Sequence, residues 1–217
     1  MNNIQNNQNM TLPLAGLQTS AEAEYFFIFP PDELLVEEVN KLKAEHTLNY
    51  GSKGIIKNLP HIPLFGLVMS KVYEPYLMKV CENFFLRYRY FNLKINGFEK
   101  RSFNKTISIA IEGDQSALQM IYDLYTLLYR NSKIHPDDKA FPFTPKIGSL
   151  HIPLFKFETA EELDLVWQYY RFKAYSKRLR TAHVTLLKKE RLELQCASLG
   201  VFDLPHAEKQ IPKILIH

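Results

Sequence analysis

The chain has 217 residues, and 46% of them are hydrophobic, so it is long enough to bury one sizeable core. Its 27 Lys and Arg residues against 23 Asp and Glu residues give a formal net charge of +4, which is too small for wholesale attraction to a polyanion. No run of about 18 apolar residues is present, which argues against a membrane-spanning helix and predicts a cytoplasmic protein.

The first residues differ in composition from the rest of the chain. Residues 1–20 are rich in Asn and Gln and have no basic start followed by an apolar run, so they lack the pattern of a targeting signal. We expect a flexible arm at residues 1–20 and a single domain over residues 21–217. Within that domain, Cys81 and Cys196 have no metal-binding or disulfide spacing and are predicted to be buried free thiols.

The first predicted element is a strand, because residues 25–29 are an aromatic and β-branched run that two prolines end. Asp32 is the expected N-cap of an amphipathic helix at residues 33–46. After a polar loop, the chain is predicted to form a strand at residues 61–67 and a helix at residues 74–88.

The second half of the chain again mixes helices with consecutive strands. Thr159 and Glu162 have capping-box spacing at the start of its last predicted helix. Several strands adjacent in sequence indicate an α+β fold with largely antiparallel pairing. The later elements are predicted in this order: strands at residues 91–98 and 106–112, a helix at 115–129, a proline-containing loop at 131–148, a strand at 150–155, a helix at 158–177, and strands at 180–188 and 194–204.

One pentapeptide occurs twice. His-Ile-Pro-Leu-Phe stands at residues 61–65 and, ninety positions later, at residues 151–155, which indicates an internal duplication. Alternate side chains of a strand share a face, so the His, Pro and Phe of each copy are predicted to point one way and the Ile and Leu to point into the core. A pseudo-twofold relation between the copies would then bring His61 and His151 to one groove.

A pair of histidines suits acid–base chemistry near neutral pH. One neutral imidazole can remove a proton while a second, protonated imidazole supplies one. For a phosphodiester, these two steps activate the nucleophile and protonate the leaving oxygen. No carboxylate-rich cluster accompanies either copy, so we expect a reaction that needs neither a metal nor another cofactor.

The two copies, Pro60 before the first of them, and the order of elements over residues 24–204 resemble the two-histidine phosphoesterase superfamily. This group includes 2′-5′ RNA ligase-like proteins and RNA 2′,3′-cyclic phosphodiesterases. The resemblance implies two pseudo-symmetric lobes whose largely antiparallel sheets flank a central groove, with helices on the outside. It also implies that His61 and His151 are catalytic and that the substrate is RNA or a small nucleotide. We expect a monomer that does not bind membranes.

The chain departs from the superfamily at the second residue after each histidine. The motifs have Thr or Ser there, whereas this chain has Pro63 and Pro153, which cannot donate a hydrogen bond. Proline is also unfavourable inside a paired strand, so each motif is predicted to lie at a bulge or an unpaired edge. The alternative function is therefore a catalytically impaired nucleotide- or RNA-binding module, and a third is a structural protein in which the groove is only a packing seam.

Other residues must hold the substrate if catalysis is retained. Phe65 and Phe155 are candidates for stacking on a base, which contributes about 1–3 kcal/mol per base in single-strand recognition. The candidate phosphate-binding residues in the loops before the two motifs are Lys53, Lys57, Lys146 and Ser149.

Two further segments compete for a functional role. His183 begins a His-x-Thr sequence, but few residues follow it for the remaining elements, so we interpret it as part of a terminal strand. The basic stretch at residues 171–180, with Phe172 and Tyr175 between its cations, is interpreted as a solvated helix end. Guidance of an RNA backbone is the alternative for this stretch.

Overall fold

The computed structural model describes residues 22–112, 115–130, 150–190, 193 and 195–205. The predicted arm at residues 1–20 and the predicted loop at residues 131–148 lie outside the described residues. The described strands are β1 Glu22–Phe29, β2 Ile62–Ser70, β3 Phe91–Arg101, β4 Thr106–Glu112, β5 Leu150–Lys156, β6 Ser176–Thr181, β7 His183–Glu190 and β8 Ala197–Asp203. The described helices are α1 Glu33–Tyr50, α2 Glu74–Phe85, α3 Gln115–Tyr129 and α4 Ala160–Tyr170.

The strands form two antiparallel sheets of four strands each. The first lobe contains the sheet β2-β1-β7-β8, and the second lobe contains the sheet β5-β4-β3-β6. Strands β2 and β5, which contain most of the two pentapeptides, stand at the ends of their sheets and contact each other. Helices α2 and α3 pack on the first sheet, and α4 packs on the second. This two-lobed α+β architecture confirms the predicted fold class.

The two motif strands pair with their neighbours in the same register. In each pair the register shifts by one residue within the pentapeptide, which leaves Leu64 or Leu154 as the extra residue of a bulge. The bulge predicted from the two prolines is therefore confirmed, and the matching registers support the proposed duplication. The pair Phe27–Phe65 of the first lobe corresponds to Ile107–Phe155 of the second. In the same way Ile28–Pro63 corresponds to Ser108–Pro153, and Phe29–Ile62 corresponds to Ile109–Ile152.

Each lobe is completed by elements from the other half of the chain. Strand β3 follows the first motif but pairs with β4 in the second sheet, whereas β7 follows the second motif but pairs with β1 in the first sheet. Helix α1 also crosses, because the ring of its His46 stacks on Phe155 of β5 with 4.0 Å between the ring centroids. The two lobes therefore share strands and side-chain packing.

The helix ends agree with the predicted caps, but α4 is shorter than predicted. Asp32 accepts a hydrogen bond from the Leu35 amide at 2.7 Å, and Thr159 accepts one from the Glu162 amide at 3.2 Å. The prediction that the basic stretch continues a helix to residue 177 is wrong, because residues 176–181 form β6. Leu179 is buried while the residues on either side are more exposed, so this segment follows the two-residue period of a strand.

The two cysteines differ in their surroundings. Cys81 of α2 is buried, as predicted, and burial strongly raises the pKa of its thiol. Cys196 is exposed, so its predicted burial is wrong; it lies just before β8, outside the segment that packs on the core. None of the helices described here has the length and apolar composition needed to cross a membrane.

Candidate active site

His61 directly precedes β2 and is partly exposed. Its Nδ1 atom lies 2.8 Å from the carbonyl oxygen of Leu59. A carbonyl oxygen can only accept a hydrogen bond, so Nδ1 carries the proton in the neutral ring and Nε2 has the free lone pair. This local contact therefore leaves Nε2 as the ring nitrogen that the Leu59 carbonyl does not engage.

The segment before His61 is attached to the strand that contains the second motif. The Ile56 amide donates to the Leu154 carbonyl at 3.0 Å, and the Lys156 amide donates to the Gly54 carbonyl at 2.7 Å. From α1, the Lys43 ammonium donates to the Ile56 carbonyl at 2.6 Å. The first histidine thus follows a loop whose backbone is fixed to the second lobe, a connection that the sequence did not predict.

His151 is the second residue of β5 and is 9% exposed. It stands opposite Ala110 of β4 and shares a sheet face with Pro153, which is partly exposed, while Ile152 between them is buried in the core. This is the face of the second sheet that lies opposite its core. His61 and Pro63 have the equivalent relation to the buried Ile62 in the first lobe.

The register places the two pentapeptides at equivalent positions of the two lobes, and the strands β2 and β5 that contain most of them contact each other. The two histidines stand at the same place in each repeat, on the face not used for the core. The described residues contain no group of three or more His, Cys, Asp and Glu side chains arranged to hold a metal ion.

Phe65 and Phe155 are placed differently from the prediction. Their exposed fractions are 5% and 0%, and the ring of Phe65 stacks on Phe27 with 4.7 Å between centroids. The bulge explains this position, because the extra residue in each motif turns the phenylalanine to the core side along with the leucine before it. The expectation that these rings stack on a base is corrected: both belong to the hydrophobic core.

Two of the predicted phosphate-binding residues, Lys53 and Lys57, are described by the structure, and it does not direct either of them to the motif histidines. The Lys53 ammonium is 2.5 Å from the Glu162 carboxylate of α4, and this hydrogen bond lowers the pKa of that carboxyl. Lys57 is exposed, and no contact that would direct it to either histidine is described. Lys146 and Ser149 lie outside the described residues.

His183 is in the same lobe as His61. It begins β7, stands opposite Asp203 of β8, and belongs to the first sheet. The position equivalent to His61 is therefore that of His151, in the other sheet, and His183 is part of a terminal strand as predicted.

Ser108 is a residue that sequence reasoning missed. It is completely buried in β4, its hydroxyl has no hydrogen-bond partner, and it stands opposite Pro153. The equivalent residue of the first lobe is the apolar Ile28. Leaving a buried hydroxyl unpaired costs about 1–3 kcal/mol of folding stability. Serine at position 108 is therefore unfavourable, whereas the first lobe has an apolar isoleucine at the equivalent position. Its alternation with Ile107 and Ile109 was the sequence signal for a polar residue on the motif face.

A buried histidine lies behind the second motif and makes folding stability depend on pH. His46 is 1% exposed, and burial lowers its pKa from the ordinary value of 6.5 by more than the backbone of Lys53 raises it. Below pH 6.5 the unfolded chain binds a proton that the folded chain excludes, so stability is lost as the pH falls, by at most about 1.4 kcal/mol per pH unit.

We expect His46→Gln to remove part of this pH dependence. Urea unfolding at pH 7.5 and pH 5.5 should show that the variant loses about 1 kcal/mol less than the wild type between the two values. His183→Gln is the control, because His183 is partly exposed. Equal losses in wild type and His46→Gln would contradict the prediction.

The fold was compared with known proteins. No protein-family model and no curated protein matches the chain. Among solved structures, TT0787 of Thermus thermophilus is similar over 83% of this chain and 97% of its own, with a TM-score of 0.63 and 12% identity. E. coli LigT complexed with phosphate covers 86% of this chain and 100% of its own, with a TM-score of 0.60 and 14% identity. A protein described as a phosphoesterase covers 85% and 99%, also with a TM-score of 0.60 and 14% identity.

These likenesses extend over nearly the full length of the solved structures, and they include both lobes. Identity this low establishes the fold and leaves the chemistry to the residues of this chain. With four antiparallel strands in each lobe and the repeated pentapeptides at the two contacting strands, the chain has the fold of the solved LigT, TT0787 and phosphoesterase structures.

Proposed function

We propose that this chain is a metal-independent phosphoesterase that acts on 2′,3′-cyclic phosphates or 2′-5′ linkages of RNA or nucleotides. The observation that carries the proposal is the equivalent placement of His61, directly before β2, and His151, in β5, at two edge strands that contact each other. The similar LigT structures contain phosphate, ATP or 3′-AMP, which supports a nucleotide as the ligand.

The proposed reaction needs only the two imidazoles and water. The neutral imidazole takes a proton from water as its oxygen bonds to phosphorus, and the imidazolium gives a proton to the 2′ or 3′ oxygen as its bond to phosphorus breaks. Protons balance, because one ring gains what the other loses. The contact between His61 Nδ1 and the Leu59 carbonyl supports Nε2 as the reacting atom in either role.

The test is turnover of nucleoside 2′,3′-cyclic phosphates and 2′-5′-linked oligonucleotides by the purified full-length protein. We expect hydrolysis that persists after treatment with EDTA. Saturable binding without turnover would instead favour the impaired binding module, and absence of both binding and turnover would leave the two histidines with only a structural role.

Because Pro63 and Pro153 replace the Thr or Ser of the motifs, we expect low catalytic activity that a single substitution can raise. A hydrogen bond to a charged group contributes about 1.5–3 kcal/mol, so Pro153→Thr should raise kcat/KM by about tenfold or more. The bulge at this position already lacks regular pairing, so the exchange does not disturb a continuous ladder. Steady-state kinetics on a cyclic phosphate measure the effect.

Ser108 is the proposed substitute donor, since its buried hydroxyl is beside Pro153. We expect Ser108→Ala to lower kcat/KM without loss of thermal stability, because it removes an unpaired buried hydroxyl. Pro153→Thr should compensate for this loss in the double variant. If Ser108→Ala retained full activity, Ser108 would have no part in holding the phosphate.

A further inference from the structure

The outer strand of the second lobe presents cations on the same face as His151. In β6, Lys177 binds Glu38 of α1 at 3.1 Å and Leu179 is buried, so these side chains point to the helix-covered face. Arg178 and Arg180 alternate with them and point to the opposite face, where both are exposed.

This face is continuous from β6 to the motif strand. Arg178 stands opposite Lys94 of β3, which in turn stands opposite Glu112 of β4. Ala110 lies two residues before Glu112 on the same face of β4, and it stands opposite His151 of β5. The distance from β5 to β6 spans three strand spacings, about 14 Å. Several phosphates of a polynucleotide strand fit this distance, since a strand of a duplex has one about every 3.4 Å.

Protection of an exposed sheet edge is the simpler explanation for cations on an outer strand. The first lobe offers a direct comparison, because β8 is its outer strand as β6 is that of the second lobe. Strand β8 contains no Lys or Arg, and its single charged residue is the acid Asp203. An edge in this fold is therefore formed without cations, and the basic face of β6 needs another reason.

The geometry of Arg180 suits phosphate. Its guanidinium carbon lies 3.9 Å from the ring centroid of Tyr90. Stacking holds the plane of the guanidinium, and a guanidinium held in this way can bind phosphate oxygens through its N–H groups. Lys94 is paired with Glu112 at 3.1 Å, but both side chains are about half-exposed, so this pair is weak.

We infer that Lys94, Arg178 and Arg180, here called the cationic strip, bind the backbone of a single-stranded RNA whose reacting end lies at the motif histidines. The position of the reacting end rests on the proposed function, whereas binding of RNA by the strip does not. On this basis an oligonucleotide, rather than a mononucleotide, is the preferred substrate.

Binding is tested without catalysis, using a fluorescently labelled single-stranded 12-nucleotide RNA and anisotropy at several salt concentrations. We expect Arg178→Gln/Arg180→Gln to weaken binding at low salt by at least about tenfold. The slope of log K against log salt should fall by about 1.4 in magnitude, since each lost phosphate contact removes about 0.7 for a single strand. Lys177→Gln is the control, because it removes one positive charge from the same strand on the other face.

Turnover provides the second readout. The double variant should lose activity on an RNA that ends in a 2′,3′-cyclic phosphate and retain it on a mononucleoside 2′,3′-cyclic phosphate. Wild-type protein that does not bind the RNA, or a double variant that binds it as tightly as Lys177→Gln does, would overturn the inference. Absence of turnover in the wild type with normal RNA binding would refute the proposed function and leave the cationic strip intact.

Discussion

His61→Ala and His151→Ala should each lower kcat for cyclic phosphate hydrolysis by about 10²–10⁴-fold, the usual contribution of one general acid or base. Each substitution removes one of the two proposed proton-transfer groups. The losses should not add in the double variant, because a single missing partner already interrupts the proton transfer.

Three measurements distinguish this role from a structural one. Substrate affinity should change less than kcat, and the wild-type rate should rise and then fall with pH, whereas each single variant should lose one side of that profile. His183→Ala, which removes a histidine from the first sheet, should retain activity. Turnover that survived both substitutions would exclude the two imidazoles as the catalytic pair.

Phe155→Ala should destabilise the fold by about 3–5 kcal/mol, as expected for removal of a fully buried aromatic ring. The ring lies between the His46 ring, at 4.0 Å between centroids, and the Tyr170 ring, at 5.3 Å. Its loss would open a cavity where β5, α1 and α4 meet. Thermal unfolding should therefore occur at a clearly lower temperature, by roughly 2–4 °C for each kcal/mol in a chain of this size.

Phe103→Ala is the control, because that ring is 93% exposed and its removal should change stability by no more than about 0.5 kcal/mol. A Phe155→Ala protein with normal thermal stability and weakened nucleotide binding would contradict the core position and restore base stacking as the role of this ring.

Apart from β6 and β7, which replace the single strand predicted at residues 180–188, the order of elements was predictable because each depends on a local pattern. The aromatic run before two prolines, the cap at Asp32 and the apolar spacing of α3 all lie within one element, and each is found where predicted. Strand β6 was missed because Lys and Arg are good helix formers, so composition favoured a longer α4. This segment is a strand because it pairs with residues 91–96 of β3, about eighty positions away. A local sequence pattern does not reveal such a pairing.

The candidate site was predictable only in part for the same reason. The repeat identified His61 and His151, and the prolines predicted a bulge. The alternation rule then placed Phe65 and Phe155 on the wrong side, because the bulge inserts one residue and inverts the pattern after it. Ser108 required knowledge of which residue stands beside Pro153, and this is set by strand pairing.

The exchange of β3 and β7 between the sheets has a consequence for how such a protein unfolds. A chain cut between the two copies would leave each fragment with strands that belong in the other's sheet. In this chain the two lobes cannot separate as independent domains. The distance between the two pentapeptides therefore depends on the connections of the chain as well as on packing.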